Sequence, residues 1–266
     1  MNLPQDRPAA LPELNDEQFE RYARHLILEE VCEEGQAKLL ASSVLVLGAG
    51  GLGSPMALYL AAAGVGRIGI VDDDRVELSN LQRQVLHGVA DLGRPKTESA
   101  AAALARINPG IRVDRIDDRL DAGNVEALIR PYDLVADGSD NFATRFVVAD
   151  ACYRLGKPLV SAALLRFDGQ LTTFKPHLGA PHPCLRCMFP DQPDDDAMPR
   201  CEQAGILGAL AGTMGALQAT EVLKELLGIG DSLSGFLLIY DALGTTFRKV
   251  RLKRSPGCPL CGKASR

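Results

Sequence analysis

Residues 43–53 have the sequence SVLVLGAGGLG, in which a run of branched apolar side chains leads directly into a glycine-rich loop. The apolar run predicts a buried strand over 43–47, and the alanine- and leucine-rich stretch after the loop predicts a helix over 55–63. A G-x-G-x-x-G pattern between a strand and a helix is typical of nucleotide-binding α/β proteins, because glycines let phosphate groups approach the backbone. A glycine turn with a purely structural role is the alternative.

The next strand favours the nucleotide interpretation. A second apolar run, residues 67–71, is followed at once by Asp72, which lies 19 residues after Gly53. An acidic side chain at the end of the second strand can accept hydrogen bonds from ribose hydroxyls. We therefore predict that a nucleotide lies over the four glycines of the pattern, Gly48, Gly50, Gly51 and Gly53.

The alternation of strand and helix patterns continues as far as about residue 165. The predicted helices are 96–106, 125–129 and 143–155, and the predicted strands are 111–116, 133–136 and 158–162. Such repeats indicate an α/β protein with a doubly wound, Rossmann-like and mostly parallel sheet. Strands predicted over 169–174, 235–240 and 245–252 extend this sheet in antiparallel fashion, with a helix over 205–227 between them.

The N-terminal region has its own helix signal. Asn15 and Gln18 have the spacing of a capping box, and the apolar residues after them predict a helix over 21–30. We expect residues 1–15 to be a disordered leader and residues 16–266 to form a single domain. Its nucleotide-binding half covers about 40–165, and its second half covers about 166–262.

Composition excludes several partners. The chain has 266 residues, a formal net charge of -5 and an isoelectric point near 5.5, so its surface repels nucleic-acid backbones. The chain starts without the apolar core of a secretory signal, and no apolar stretch approaches the roughly 20 residues of a membrane span. We expect a cytoplasmic protein whose cysteines are metal ligands, reactive thiols or buried side chains rather than disulfides.

Polar residues that follow the glycine loop bear on which nucleotide is bound. Asn80, Arg83 and Lys96 could hold a polyphosphate tail through charge-assisted hydrogen bonds, whereas a nicotinamide dinucleotide needs no such cluster. Asp140 follows a later strand, at the sheet edge where ligands bind, and is a candidate Mg²⁺ ligand. Asp137, at the end of that strand, either belongs to the same site or is structural.

Four cysteines form two C-x-x-C pairs, Cys184 with Cys187 and Cys258 with Cys261. The pairs are much farther apart than in a compact zinc ribbon, yet they can meet in space as a closed tetrahedral site. We predict structural Zn²⁺ here. The alternatives are a thioredoxin-like redox pair and unlinked thiols.

The remaining cysteines and the histidines are isolated. Cys201 precedes the helix predicted over 205–227, where the helix dipole favours the thiolate and therefore a reactive role. Cys32 and Cys152 are expected to be core residues. The four histidines have neither paired metal spacing nor a nucleophile partner, and we expect them to be structural.

Six short motifs occur in order: Arg21-Tyr22-x-Arg24, GAGGLG at 48–53, SNLQRQ at 79–84, Gly93-x-Pro95-Lys96, Ser139-Asp140-Asn141 and Ala204-Gly205-x-Leu207-Gly208. Together they resemble the MoeB/ThiF family, prokaryotic relatives of ubiquitin-activating enzymes. The resemblance extends from about Arg21 to Gly262. It implies an adenylyltransferase that uses ATP and Mg²⁺ to activate the C-terminal glycine of a ubiquitin-like sulfur-carrier protein, with release of pyrophosphate.

The resemblance also implies a set of ligand contacts. ATP is expected over residues 48–53, with Asp72 on its ribose. Asn80, Arg83 and Lys96 would hold the phosphates, and Asp140 would hold Mg²⁺.

Other positions match family residues outside the nucleotide loop. Arg24 matches an arginine that enters the neighbouring subunit's active site, which implies a homodimer. The two cysteine pairs match a zinc site that is frequent in the family, and the second half of the chain would bind the carrier. Cys201 matches a cysteine that bonds covalently to the carrier in some members and is dispensable in others.

The pathway is left open between molybdopterin synthesis, which we prefer, and thiamine synthesis. Because the chain ends soon after Cys261, we expect the sulfur donor to be a separate sulfurtransferase. Two hypotheses of other classes compete with the adenylyltransferase. A NAD(P)-dependent oxidoreductase explains the loop and Asp72 but leaves Arg83, Lys96 and Asp140 without a role. A non-catalytic zinc-stapled scaffold explains only the cysteines.

Overall fold

The computed structural model describes residues 11–193 and 205–262. Its strands are β1 Ser43–Leu47, β2 Arg67–Val71, β3 Arg112–Ile116, β4 Leu134–Asp137, β5 Leu159–Leu165, β6 Asp168–Phe174, β7 Phe236–Asp241 and β8 Thr246–Arg251. They form one sheet in the order β3-β2-β1-β4-β5-β6-β7-β8. The pairs from β3 to β5 are parallel and the pairs from β5 to β8 are antiparallel, which confirms the predicted fold class.

The helices within the described residues are α1 Asp16–Arg21, α2 Ala23–Leu26, α3 Cys32–Ala41, α4 Gly53–Ala62, α5 Lys96–Ile107, α6 Val125–Ile129, α7 Phe142–Leu155, α8 Leu185–Met188 and α9 Gly208–Leu227. Single 3₁₀ turns lie at Leu78–Asn80, Val89–Asp91 and Pro176–Leu178. No helix in this part of the chain is long and apolar enough to cross a membrane.

The sheet is covered on both faces by apolar side chains. Residues of α4, α5 and α9 pack with β1 and β2 in one core, around Met56, Leu104 and Met214. Residues of α6 and α7 form the second core with the other face, around Ile129 and Phe146. Because parallel strands are buried on both faces, their sequences are continuously apolar, as in β1.

The strand order reverses between β1 and β4, and this reversal places the site. On one side of β1 the chain runs to β2 and β3, and on the other it runs to β4 and β5. Crossover helices leave a crevice at such a point, beyond the carboxyl ends of the strands. The glycine loop after β1 and the Asp137–Asp140 turn after β4 therefore meet at the same edge.

The N-terminal helix prediction was wrong in its extent. The capping box of Asn15 and Gln18 is present, but α1 ends at Arg21 and α2 at Leu26. Tyr22 breaks the helix because its ring is buried against Gly64 and its hydroxyl receives a hydrogen bond from Asn108 Nδ2 (2.8 Å). The structure then adds α3, which was not predicted.

Two further expectations concern the N-terminal region and the isolated cysteines. Cys32 is exposed and has a positive φ of 47°, so the prediction that it belongs to the core was wrong. Cys152 is buried, as predicted. Residues 1–10 of the expected leader lie outside the described residues, and the division of the chain into two halves stays a prediction.

Candidate nucleotide site and cysteine cluster

The glycine loop begins where β1 ends and closes against the start of α4. Gly48 has a φ of 85°, and its N–H donates to the Val71 carbonyl oxygen (2.9 Å). Gly53 is the first residue of α4, and a Cβ there would collide with the Gly48 carbonyl oxygen. The turn itself therefore requires both glycines, and it brings the N-terminus of α4 to the ligand-binding edge of the sheet.

The geometry of the turn does not explain the two middle glycines, Gly50 and Gly51. A Cβ on Gly50 would lie 3.8 Å from Gln84 Nε2, an ordinary contact distance, and neither Gly50 nor Gly51 has a positive φ. A Cβ on Gly51 would lie 3.3 Å from the Ala211 Cβ and 3.5 Å from the Arg83 Cγ. The fold thus tolerates a side chain at Gly50, and its absence is explained by a ligand that approaches the backbone.

Asp72 lies at the end of β2, beside the loop. Its carboxylate accepts hydrogen bonds from the N–H groups of Ala49 (2.7 Å) and Asp74 (2.9 Å). Burial raises the pKa of Asp72, while the nearby Lys96 charge and these two hydrogen bonds oppose the rise. A carboxylate has about four acceptor positions, so a ribose hydroxyl can be bound as well.

Lys96 is almost completely buried at the first position of α5, with 5% of the residue exposed. Its ammonium lies 2.7 Å from Asp74 Oδ2, and the Asp74 side chain is two-thirds exposed. A buried cation needs such a partner to offset the loss of hydration. The pair holds the charge of Lys96 near enough to Asp72 to oppose the rise in the pKa of that carboxyl.

The segment that follows the 3₁₀ turn at Leu78–Asn80 wraps around the loop. Asn80 Oδ1 accepts a hydrogen bond from the Glu77 N–H (3.1 Å), so this amide also stabilises the turn. The Arg83 guanidinium donates to the Ser79 carbonyl oxygen (3.2 Å). The alkyl stem of Arg83 covers Gly51, which places its partly exposed charge beside the glycine loop.

Two residues of this segment were not assigned to the site from the sequence. Gln84 is 3% exposed, and its Oε1 has no hydrogen-bond partner among the described residues. Such buried polar atoms are rare and call for a ligand or water. His87 is also buried and donates to the Ala49 carbonyl oxygen within the loop. No spacing rule could have found His87, because its contact with the loop is made to a backbone atom.

The turn after β4 contains two aspartates with different surroundings, one of which is structural and the other available to a ligand. Asp137 is 1% exposed, and its carboxylate accepts hydrogen bonds from Ser139 N–H (2.9 Å), Ser139 Oγ (2.6 Å) and Ser161 Oγ (3.1 Å). It is structural, the second of the two possibilities. Asp140 is exposed, and its described polar contact is a long one with Asn141 Nδ2 (3.4 Å). Its carboxylate is available for a cation.

Arg24 lies on α2 beside Tyr22, which packs against Gly64 just beyond the C-terminal end of α4, whereas the glycine loop lies at the N-terminal end of that helix. Arg24 is exposed, and it forms no ion pair with any residue that the structure describes. Its neighbours Ile27 and Leu28 are exposed apolar side chains, 73% and 47% respectively. Arg24 is therefore not part of the glycine-loop site of its own protomer. This is the position expected of an arginine that acts in the site of a second subunit.

The four paired cysteines meet in space although 74 residues separate Cys184 from Cys258. Their Sγ atoms all lie within 4.8 Å of one another. The separations are 3.8 Å for Cys184–Cys187 and 3.4 Å for both Cys184–Cys258 and Cys187–Cys261. A tetrahedral zinc ion with Zn–S bonds of about 2.3 Å sets its sulfurs about 3.8 Å apart. The donor set therefore fits Zn²⁺.

The surroundings of this cluster favour the thiolate at Cys258 and disfavour it at Cys184 and Cys261. Burial would raise the pKa of the Cys258 thiol, but the backbone N–H groups of Cys261 and Leu260 bring it down to about 7. Burial raises the pKa of Cys261 to about 11. Arg254 donates to the Cys261 carbonyl oxygen and thereby ties the C-terminal segment to the cluster. Cys201 lies outside the described residues.

These features define a class: an open α/β protein with a candidate nucleotide site at the reversal of strand order and a separate four-thiol site. A model of the ThiF family matches residues 22–260, and the chain belongs to this family. The family prediction is thereby confirmed.

Similar proteins cover nearly the whole chain. The sulfur carrier protein adenylyltransferase of Thermus thermophilus is 52% identical over 248 residues, which are 92% of each chain. The SAMP-activating enzyme E1 of Haloferax volcanii is 49% identical over 250 residues, 94% of this chain and 91% of that one. A crystal structure of E. coli MccB has the same fold, with a TM-score of 0.81 and 24% identity over 92% of this chain and 73% of that one.

These relatives confirm the enzyme class predicted from the motifs, an adenylyltransferase. They give no support to a NAD(P)-dependent oxidoreductase. The same type of loop and acidic residue binds dinucleotides and ATP alike. The choice between an oxidoreductase and an adenylyltransferase therefore depended on the residues that follow β2.

Proposed function

We propose that this chain uses ATP to adenylylate the C-terminal glycine of a ubiquitin-like sulfur-carrier protein. The observation that carries the proposal is the arrangement around the glycine loop. Asp72, Lys96 and Arg83 surround the loop, and the available carboxylate of Asp140 follows the neighbouring strand. The names of the two curated relatives support the same substrate class.

The reaction requires that the reacting groups are positioned and that the phosphate charge is neutralised. It does not require a general base. A carboxylate oxygen of the carrier bonds to the α-phosphorus, the bond to the bridging oxygen of the β-phosphate breaks, and pyrophosphate leaves. A terminal carboxylate is already an anion at neutral pH, so no proton has to be removed. Arg83 and Lys96 would neutralise the charge on the phosphate oxygens, and Asn80 would orient them.

The residues present fit ATP and a divalent cation. Asp72 would hold the ribose, and the glycine loop with the N-terminus of α4 would face the phosphates. Asp140 is exposed and lacks a cationic partner among the described residues, as a Mg²⁺ ligand requires. When bound there, Mg²⁺ would add positive charge beside the phosphates.

We propose Zn²⁺ for the cysteine cluster, in a structural role. All four positions of a tetrahedron are supplied by protein thiols, so no position is left for a substrate. The site would hold the C-terminal segment against α8 and the turn before it. The carrier's globular body would bind the second half of the chain, residues 166–262, whose exposed apolar side chains include Leu243 (74%) and Phe247 (50%).

We propose further that the enzyme is a homodimer in which Arg24 completes the neighbouring active site. Its position outside the protomer's own site supports this. A mixture of Arg24→Ala and Asp140→Ala chains should regain activity, because a mixed dimer has one intact site. No regain in a mixture with proven subunit exchange would contradict the proposal.

Molybdopterin synthesis is the pathway that we prefer, with thiamine synthesis as the alternative and a separate sulfurtransferase as donor. Cys201 is proposed as a residue whose thiolate bonds to the carbonyl carbon of the adenylylated glycine, while the bond from that carbon to the phosphate oxygen breaks and AMP leaves. A Cys201→Ser variant that adenylylates the carrier but forms no thiol-sensitive adduct would support this role, and an adduct in that variant would oppose it.

The decisive test is exchange of labelled pyrophosphate into ATP with Mg²⁺ and a panel of small carriers that end in Gly-Gly. Each carrier is paired with a version that lacks the final glycine. We expect exchange with one intact carrier only, and a loss of about 100- to 1,000-fold in Asp140→Ala, the range for removal of a key charge-stabilising group. If no carrier supports exchange while NAD or NADP binds tightly, the proposal is wrong.

A matched control is available for that substitution. Asp231 is an exposed aspartate that follows α9. Ala211 of α9 lies beside Gly51 of the loop, and Lys224, whose Nζ donates to the Asp231 carbonyl oxygen, lies 13 residues farther along the helix, so Asp231 is about 20 Å from the loop. Asp231→Ala should retain full exchange, so that a loss confined to Asp140→Ala can be assigned to the site.

A further inference from the structure

His87 is a buried residue for which the proposed chemistry has no use. It is 7% exposed, and both of its ring nitrogens form hydrogen bonds. Nε2 lies 2.9 Å from the Ala49 carbonyl oxygen, and Nδ1 lies 2.8 Å from Ser99 Oγ on α5. A histidine with both nitrogens committed to partners that are 38 and 12 residues away is held in a single orientation.

The partner of Nε2 determines the tautomer. A carbonyl oxygen only accepts, so Nε2 must carry the proton. The Ser99 hydroxyl lies beside Nδ1 and also bonds to the Asp91 carboxylate, so the proton on Nε2 follows from the Ala49 carbonyl oxygen alone. Burial lowers the pKa of His87, which favours the neutral ring at physiological pH. His87 is thus a permanent donor toward the glycine loop.

The loop is held at the same residue from its other side. The Ala49 N–H donates to Asp72 Oδ2 (2.7 Å), and the Ala49 carbonyl oxygen accepts from His87. These two groups belong to successive peptide units, directly before Gly50. A glycine-rich loop has few side chains of its own to fix it, and its backbone freedom is large. Asp72 and His87 therefore supply the restraint that the loop sequence lacks.

We infer that His87 is a positioning residue that pre-organises the glycine loop for ATP through its Nε2–H bond to the Ala49 carbonyl oxygen. The inference rests on the proposed function, because ATP is the ligand for which the loop is arranged. A loop that is already ordered loses less conformational entropy when the nucleotide binds. Loss of the bond should therefore weaken nucleotide binding, with a smaller effect on the chemical step.

Two substitutions separate the two hydrogen bonds of His87. The amide nitrogen of glutamine is four bonds from Cα, as is Nε2 of histidine, whereas that of asparagine is three bonds away, as is Nδ1. His87→Gln can keep the donor toward Ala49, and His87→Asn can reach only the Ser99 side. We expect His87→Asn to raise the dissociation constant of a non-hydrolysable ATP analogue with Mg²⁺ about tenfold, the equivalent of one hydrogen bond. His87→Gln should stay within about threefold of the parent.

Calorimetric binding and thermal unfolding are measured on both variants of the full chain. Equal affinity in the two variants, whatever their melting temperatures, would overturn the inference, because a merely structural histidine changes stability and not affinity. Failure of the parent chain to bind the ATP analogue would instead count against the proposed function.

Nuclear magnetic resonance of ¹⁵N-histidine in the parent chain gives a readout that needs no variant. A proton on Nε2 supports the inference, and a neutral ring protonated on Nδ1 overturns it.

Discussion

The glycine loop and the cysteine cluster are two sites that the same chain builds in opposite ways. The loop is a contiguous stretch, and the residues that restrain it, Asp72 and His87, follow within 40 residues. The cluster joins two pairs that are 74 residues apart, and the contacts among its members are made by sulfur atoms. The loop is restrained by hydrogen bonds within the protein, whereas the cluster would be held by the Zn²⁺ that we propose for its thiolates.

This difference predicts that the two sites respond independently. The polar contacts that define the nucleotide site join the glycine loop, residues 72–74, the 79–87 segment and Lys96 at the start of α5, and none of those described includes a residue of the cysteine cluster. The cluster instead fixes the C-terminal segment through residues such as Arg254. Stability and nucleotide affinity should therefore be separable by suitable variants.

Loss of the metal is expected to have the largest effect on stability. Metal removal by chelation, or Cys258→Ser, should lower the free energy of unfolding by about 4 kcal/mol, the linkage value for a ligand present at about 1,000 times its dissociation constant. Denaturant titration with and without chelator measures this change. Affinity for the ATP analogue, measured below the unfolding range, should stay within about threefold.

Cys32→Ser is the control for that experiment. Cys32 is exposed and lies outside the cluster, so this variant should keep both its metal content and its stability. If ATP affinity falls in proportion to zinc content, the two sites are coupled and the contrast between them is wrong.

The second prediction divides the glycines of the loop. Gly53→Ala should lower the free energy of unfolding by about 1–3 kcal/mol, the usual cost of overpacking, because its Cβ would collide with the Gly48 carbonyl oxygen. It should also abolish nucleotide binding. Gly50→Ala should leave unfolding within about 0.5 kcal/mol, the range of changes away from packed features, and weaken only the nucleotide. Thermal unfolding and calorimetry of the two variants test this, and equal destabilisation by both would refute the assignment.

Local patterns predicted most of the architecture. The bounds of β1 and β2 were correct to the residue, because parallel strands that are buried on both faces leave an uninterrupted apolar signal. The 21–30 helix failed at Tyr22, since its burial against Gly64 is a tertiary contact that no periodicity records. The helix α3 was also missed, and Cys32, its first residue, is exposed rather than buried.

The candidate site was predicted less evenly than the fold. Gly48, Gly53 and Asp72 could be found from spacing because the loop geometry fixes their positions relative to one another. Strand order alone predicted the edge of the sheet at which Asp140 lies. His87 and Gln84 could not be predicted, because His87 contacts the loop through a backbone atom and Gln84 Oε1 has no partner among the described residues, and such relations have no sequence signature.

The smallest expected effect comes from a third region, beside the edge strand β3. Tyr132 precedes β4 and donates its hydroxyl proton to Asp114 on β3 (2.8 Å), and burial with this hydrogen bond raises the pKa of Tyr132 to about 12. Burial alone would raise the pKa of Asp114, but hydrogen bonds from Tyr132, Arg112 and Arg67 lower it below its ordinary value. Tyr132→Phe should therefore lower the free energy of unfolding by about 1 kcal/mol at pH 7.

The sign of the pH dependence follows from the depressed pKa of Asp114. A carboxylate with a lowered folded-state pKa stabilises the fold above its unfolded pKa of about 3.9, and that contribution is lost as the pH falls through the folded pKa. The difference between the parent chain and Tyr132→Phe should thus be largest at neutral pH and shrink on acidification, as denaturant titrations at pH 7 and pH 3 would show. ATP affinity should not change. A change in affinity would mean that the sheet transmits a perturbation from Tyr132 to the glycine loop. The independence of the glycine loop and the cysteine cluster would then have to be tested in the same way.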